Sequence, residues 1–267
     1  MANIKQILKQ KKFFPSKKMG QNFLSDINAI NKICDNLPDL SKYDCVIEIG
    51  PGLGAITSFL VEKSSKLICI ELDKRLYADL KTKFSRHKNL KIINDDFLEL
   101  DLQTLCSQFK KVIVVANIPY SITTPIILKS LSFNKIKALY IMVQKEVADK
   151  WVYSKTSNRN ASTNIINYYF DVKRVLNIKN TCFVPAPKVD SSMVLLKRKN
   201  DEEYDHNFYD FMKPFFLAKR KKLLNNIPKG IDKEKLTSFL EKLGFDNNVR
   251  SEQLTYEDWK KIYLVFK

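Results

Sequence analysis

At 267 residues, 45% of them hydrophobic, the chain is long enough for one or two domains with a sizeable core. Its formal net charge of +17 points to a polyanionic partner, nucleic acid ahead of an anionic membrane surface. No apolar run has the length of a membrane-spanning helix and no secretory-type apolar segment opens the chain. The five scattered cysteines, with no Cys-x-x-Cys, fit a reducing cytosol and no zinc site.

The first stretch is basic, with Lys9, Lys11, Lys12, Lys17 and Lys18 around Phe13-Phe14-Pro15. It reads as a solvated tail or as an arm that contacts phosphate, Lys17 and Lys18 being the candidates. Ser25 or Asp26 can cap a helix whose apolar face is Ile27, Ile30, Ile33 and Leu37. Residues 44–49 read as a first strand running into Gly50-Pro51-Gly52-Leu53-Gly54, with a helix after it carrying Ile56, Phe59 and Leu60. Strand, glycine turn and helix form the nucleotide-cofactor layout, in which Gly50 and Gly52 let a ligand approach the backbone. A second strand, 66–70, ends in Glu71, placed to take the hydroxyls of a ribose. The glycine spacing is not Gly-x-Gly-x-x-Gly, so an adenosyl cofactor without phosphates fits better than a dinucleotide.

Leu76, Leu80 and Phe84 mark the next helix, and 90–93 a third strand that delivers Asp95, Asp96 and Phe97. Asp96 suits the amine of an adenine ring and Phe97 its face; the plainer reading of the aspartates is a turn with capping character. The β-branched run 111–116 reads as a buried central strand ending at Asn117-Ile118-Pro119-Tyr120, where Pro119 cannot continue the ladder. A helix follows through Leu131, then a strand over 138–143, a helix over 147–152, a polar mobile loop over 155–162, a helix over 164–169 and a strand over 171–178. Two prolines, Pro185 and Pro187, set an extended loop before a last strand over 193–196. Composition shifts at Lys197-Arg198-Lys199, so the expected division is a catalytic domain, 1–199, with 1–24 as arm and cofactor motif, and a helical domain, 200–267. The latter holds helices over 208–217, over 233–243 (stopped by Gly244) and from Tyr256 (capped by Thr255 and Asp258), with a basic turn at Lys219-Arg220-Lys221-Lys222. That turn is either a solvated face or an RNA clamp.

The chemistry that fits residues 117–120 is methylation of a base amine. The exocyclic amine of adenine is a poor nucleophile because its lone pair is delocalised into the ring. The side-chain oxygen of Asn117 and the carbonyl of Ile118 can both accept its protons, localising that pair and aiming it at a methyl donor. Tyr120 would stack on the extruded base, and the proline loop would carry Phe183 over its other face. No histidine triad or metal cluster is available from His87 and His206 alone.

Read in order, Gly20-Gln21-Asn22-Phe23-Leu24, Glu48-Ile49-Gly50-Pro51-Gly52-Leu53-Gly54, Glu71-Leu72-Asp73, Asp96, Asn117-Ile118-Pro119-Tyr120, Val143-Gln144-Lys145-Glu146-Val147-Ala148, Pro185-x-Pro187-Lys188-Val189-Asp190-Ser191 and Arg220-Lys221-Lys222 with Asn225-Asn226 resemble one family. It is that of the ribosomal RNA adenine dimethyltransferases, which modify two adjacent adenines near the 3′ end of small-subunit rRNA. The resemblance implies an α/β fold, a Rossmann-like S-adenosylmethionine domain with a small α-helical C-terminal domain. It implies cofactor contacts from Asn22, Leu24, Gly50, Gly52, Glu71, Leu72, Asp96, Phe97 and Asn117, and a target amine held by Asn117, Ile118, Pro119 and Tyr120 with Phe183 stacking opposite. It implies dimethylation of both adenosines on a small-subunit assembly intermediate. Beside it, Lys17, Lys18, Arg220, Lys221 and Lys222 are expected from their charge to contact RNA, and a cytoplasmic protein is expected to be a monomer because no exposed heptad or obvious strand-edge partner appears. Two positions depart from the family's usual pattern: Ser121, where a second aromatic residue is common, and Arg159-Asn160-Ala161-Ser162, where a Tyr-Gly-Arg-type turn is common. The alternatives are the sister group that methylates a large-subunit adenine and confers macrolide resistance, and an RNA-binding assembly checkpoint with weak catalysis.

Overall fold

A computed structural model describes residues 13–16, 19–152, 159–199, 201–218 and 221–267. The chain divides into two compact units, one of residues 1–148 and 171–198, the other of residues 149–170 and 199–267. The closing boundary falls beside the expected one, but residues 149–170 group with the second unit rather than with the catalytic domain. Local sequence patterns identify helices in that stretch without showing which core receives them.

The strands of the first unit are β1 (Phe23–Leu24), β2 (Cys45–Ile49), β3 (Leu67–Ile70), β4 (Leu90–Ile93), β5 (Val112–Ala116), β6 (Ile136–Gln144), β7 (Phe170–Ile178), β8 (Phe183–Val184) and β9 (Ser191–Arg198). A seven-stranded sheet has the order β4-β3-β2-β5-β6-β9-β7. Its first five strands run parallel, with Ile49 opposite Ile70 on one side and Ala116 on the other. β9 is antiparallel to β6. Every residue of β2, β3 and β5 is buried, which is why these strands, Glu48 apart, read as continuous apolar runs rather than alternating ones.

Helices α1 (Ile27–Asp35), α2 (Thr57–Lys63), α3 (Lys74–Lys83), α4 (Leu102–Leu105), α5 (Thr123–Leu131) and α6 (Lys145–Val152) connect the strands. Asp26, of the two candidates, caps α1: its carboxylate accepts from Ala29 N at 2.8 Å. A second small sheet was not foreseen. β1 and β8 pair antiparallel, Phe23 opposite Val184 and Leu24 opposite Phe183, which fastens the amino-terminal arm to the proline loop. Two-residue strands carry too little periodicity to be read in advance.

The second unit contains α7 (Ala161–Tyr169), α8 (His206–Met212), α9 (Lys233–Lys242) and α10 (Tyr256–Phe266). The expected helix over 208–217 stops at Met212, where Lys213–Phe216 tightens into a 3₁₀ turn around Pro214. The expected mobile loop over 155–162 lies partly outside the described residues, and its end is helical from Ala161, capped by Asn160 accepting from Thr163 N at 2.8 Å. The unit's core is aromatic. Trp259 and Phe215 are fully buried 5.1 Å apart, and Tyr168 stacks on Tyr256 with ring centroids at 3.7 Å. Both Tyr168 and Lys260 hold Glu202 through their side chains. No helix among the described residues is long and apolar enough to cross a membrane.

Candidate active site

Strand order reverses between β2 and β5, and their carboxyl ends therefore diverge into a crevice, the place where open α/β sheets hold ligands. A cavity of ≈ 670 Å³ occupies it. Around it stand Asn22 and Leu24 from the arm, Gly50 and Gly52 after β2, Glu71 and Leu72 after β3, Asp96 and Phe97 after β4, Asn117, Ile118, Pro119 and Tyr120 after β5, and Phe183 from β8. These are all the residues named from the sequence for cofactor and target, drawn from six separate stretches of chain. Of those named for RNA, Lys221 and Lys222 are exposed in the second unit, and Lys17, Lys18 and Arg220 lie outside the described residues.

The loops after β2, β3 and β4 are stitched to one another. Gly52 has φ +60, and a Cβ there would stand 3.2 Å from the Phe23 ring, so only glycine lets the turn pass under the arm. Gly52 N donates to Glu71 Oε2 at 3.0 Å, and Asp73 N to Glu71 Oε1 at 2.9 Å. Each of those oxygens keeps a further lone pair, so Glu71 can still accept from a ligand hydroxyl. Asn94 Nδ2 donates to Glu71 O at 2.7 Å and closes the loop from the far side. Burial raises the Glu71 carboxyl above the ordinary carboxylate range, the two backbone donors acting against it.

Asp73, next along, belongs to the arm's attachment. Gln21 Nε2 donates to its Oδ2 at 3.1 Å, and Arg75 pairs with it at 2.6 Å while lying 4.2 Å over the Phe13 ring. The Arg75 hydrogen bonds bring the Asp73 carboxyl down to about 2. The arm reaches the other side of the site too, for a Cβ on Gly20 would meet Pro119 Cβ at 3.0 Å. Gln21 was quoted from the sequence only as part of a motif, because its partner is 52 residues away.

Glu48 was missed as a site residue, although an ionisable side chain inside the run Cys45–Ile49 was the available signal. It is buried at the cavity floor, its Oε2 accepting from Thr57 Oγ1 at 2.6 Å and from Cys69 Sγ at 3.4 Å. Asp96 has the turn character considered for it: its Oδ1 accepts from Leu98 N at 2.8 Å. Phe97 is buried in the wall. The Asn117 amide has no hydrogen-bond partner among the described residues and is free to engage a ligand. Tyr120 is held at its far end, a contact with no signal in the sequence. Its hydroxyl lies 2.6 Å from Ser191 Oγ, and burial raises its phenol above the ordinary range.

The charge of the lining decides what it can take. Glu48, Glu71, Asp95 and Asp96 contribute carboxyl groups, while no Lys or Arg lines the cavity among the described residues. Those carboxyl groups would repel a pyrophosphate, whereas a cationic adenosyl compound would be attracted. The donor set fits S-adenosylmethionine: a carboxylate for ribose hydroxyls, a carboxylate and a buried aromatic for adenine, and negative potential for a sulfonium.

Fold and site together define a Rossmann-like S-adenosylmethionine-dependent methyltransferase. The chain belongs to the ribosomal RNA adenine dimethylase family, whose model matches residues 13–267. It is 40% identical over 271 residues to the ribosomal RNA small subunit methyltransferase A of Ureaplasma parvum, covering 97% of this chain and 96% of that one. It is 41% identical over 254 residues to the protein of the same name from Mycoplasma mobile, covering 92% and 96%. Among solved structures it is similar to a dimethyladenosine transferase from Plasmodium falciparum, with TM-score 0.71, 26% identity and coverage of 91% and 97%. The 23S rRNA methyltransferase ErmE, at TM-score 0.62 and 24% identity with coverage of 91% and 99%, shares the fold.

Proposed function

We propose that the protein transfers methyl groups from S-adenosylmethionine to the exocyclic amines of two adjacent adenosines near the 3′ end of small-subunit rRNA, dimethylating both. The observation that carries this reading is a cavity rich in carboxylates with, among the described residues, no cation in its lining and no partner for the Asn117 amide at the end of β5. The names of the relatives from Ureaplasma and Mycoplasma favour the small subunit over the large-subunit alternative.

S-adenosylmethionine, when bound, supplies an electrophilic methyl group on a sulfonium. Glu71 takes the ribose hydroxyls, Asp96 the adenine amine, and Phe97 the adenine face, with Gly50, Gly52 and Leu72 lining the approach and Asn22 and Leu24 covering it from the arm. Asn117 Oδ1 and the Ile118 carbonyl accept the two protons of the target amine and hold its lone pair towards the donor. Pro119 ends the strand so that both acceptors face the cavity, and Tyr120 and Phe183 take the two faces of the base. No general base is required, because the nitrogen becomes acidic once alkylated and gives its proton to water. Lys17, Lys18, Arg220, Lys221 and Lys222 hold RNA phosphates, and the substrate is a small-subunit assembly intermediate, met by a cytoplasmic monomer.

Asn117→Ala tests the arrangement. Labelled transfer to unmethylated small subunits should fall by at least about a hundredfold, the scale set by losing an aimed polar group at a reacting centre. Transfer by this variant at the wild-type rate would refute the role given to Asn117.

A further inference from the structure

Ser191 is fully buried at the start of β9, and its hydroxyl lies 2.6 Å from that of Tyr120, which is 71 positions away in sequence. The next residue, Ser192, turns to the opposite face of the strand and donates to Asn177 Oδ1 at 2.7 Å. Neighbouring serines thus have separate partners, one within the sheet and one a tyrosine of the cavity lining.

The backbone that places Ser191 is braced from several directions. Ser191 pairs with Gln144 in the β6–β9 ladder, Lys145 N donates to Asp190 O at 3.0 Å, and Asn180 N donates to Asp190 Oδ1 at 2.9 Å. Asn180 Nδ2 also holds Pro187 O at 3.2 Å. The same segment begins at Phe183, which β1 fixes by pairing with Leu24. One braced stretch, 183–191, therefore carries the second aromatic wall and the hydroxyl that holds the first.

An aromatic ring hinged at Cβ turns about two torsions; a buried hydroxyl bond at its far end, on the Cβ–Cγ axis, holds the first of them and so fixes the direction in which the ring points. Tyr120 follows directly on Asn117-Ile118-Pro119, so its ring orientation is coupled to where a base presents its amine. We propose that Ser191 is a positioning residue for methyl transfer, its hydroxyl fixing the Tyr120 ring in the orientation that receives the target base. The inference rests on the reading above, in which Tyr120 stacks on that base.

Single-turnover transfer of labelled methyl to unmethylated small subunits tests it, with wild type, Tyr120→Phe, Ser191→Ala and the double variant compared. Each single variant should slow transfer by about five- to twentyfold, as the loss of one constraining hydrogen bond does. The double variant should be no slower than either single, because both remove the same bond. Affinity for S-adenosylmethionine should stay within about twofold of wild type, since Ser191 does not line the cofactor side. Losses that multiply in the double variant, or a Ser191→Ala protein that transfers at the wild-type rate, would overturn the proposal. Should Ser191→Ala fail to fold, Ser191→Cys, nearly isosteric with a weaker donor, takes its place under the same criteria. If Tyr120→Ala transfers as wild type does, the stacking reading itself fails, and the positioning role falls with it.

Discussion

Glu48 offers the most quantitative test of the site's interior. It lies within β2, 3% exposed, and burial pushes its carboxyl up to about 7, against the donors Thr57 and Cys69, which act to lower it. The unfolded chain releases this proton near 4.5 and the folded chain near 7, so between those values the folded state binds more protons. Stability from this group is therefore greatest below pH 4.5, falls as pH rises through the window, and is fully lost above pH 7. Linkage over that interval gives a loss of about 2–3 kcal/mol between pH 5 and pH 8, an order-of-magnitude figure. Glu48→Gln keeps an oxygen for Thr57 and Cys69 and removes the titration. Urea unfolding of both proteins without cofactor, followed by far-ultraviolet circular dichroism at pH 5 and at pH 8, isolates the effect as a difference of differences. The variant should gain about 2–3 kcal/mol on wild type across that range. Parallel pH profiles, agreeing within about 0.5 kcal/mol, would refute a buried, late-titrating carboxyl at the cavity floor.

Three further outcomes follow from the geometry. Gly54→Ala forces a side chain onto a φ of +76 with its Cβ 2.8 Å from Phe84 Cε2, so urea unfolding should show a loss of about 2–3 kcal/mol. Thr255→Ala removes the acceptor for Asp258 N from a capping box at the start of α10, and should cost about 1 kcal/mol by thermal or urea unfolding. Replacing Lys221 and Lys222 by Glu should weaken binding to small-subunit RNA and make the plot of log affinity against log salt shallower by about 1.5, with S-adenosylmethionine affinity unaltered. An unchanged slope would remove these residues from the RNA surface.

The parallel half of the fold was legible because its determinants are local. Run 112–116 is apolar at every position and run 45–49 at all but Glu48, and the turns between strand and helix announce themselves by Gly50-Pro51-Gly52 and Asn117-Ile118-Pro119. Asp73, Asp101 and Thr255 cap helices from positions adjacent in sequence, so the helix starts were equally open to reading. The lining residues after β2, β3, β4 and β5 could be named because each group follows directly after a strand, and parallel strands bring their carboxyl ends to one edge. What escaped was non-local. The β1–β8 pairing joins residues about 160 positions apart, and the bonds from Gln21 to Asp73 and from Tyr120 to Ser191 leave no mark on spacing. The grouping of 149–170 with the second unit escaped for the same reason: α7 looks like any amphipathic helix until Tyr169 meets Tyr256, 87 residues on, at a hydroxyl distance of 3.0 Å.

The measurement that bears most directly on the central claim offers the protein labelled S-adenosylmethionine with unmethylated small and large ribosomal subunits side by side, then maps the label by nucleotide. The account requires two methyl groups on each of two adjacent adenosines near the 3′ end of the small-subunit RNA, and none on the large subunit. Label on a single large-subunit adenine, or tight salt-sensitive binding to the small subunit with no label on either, would contradict it.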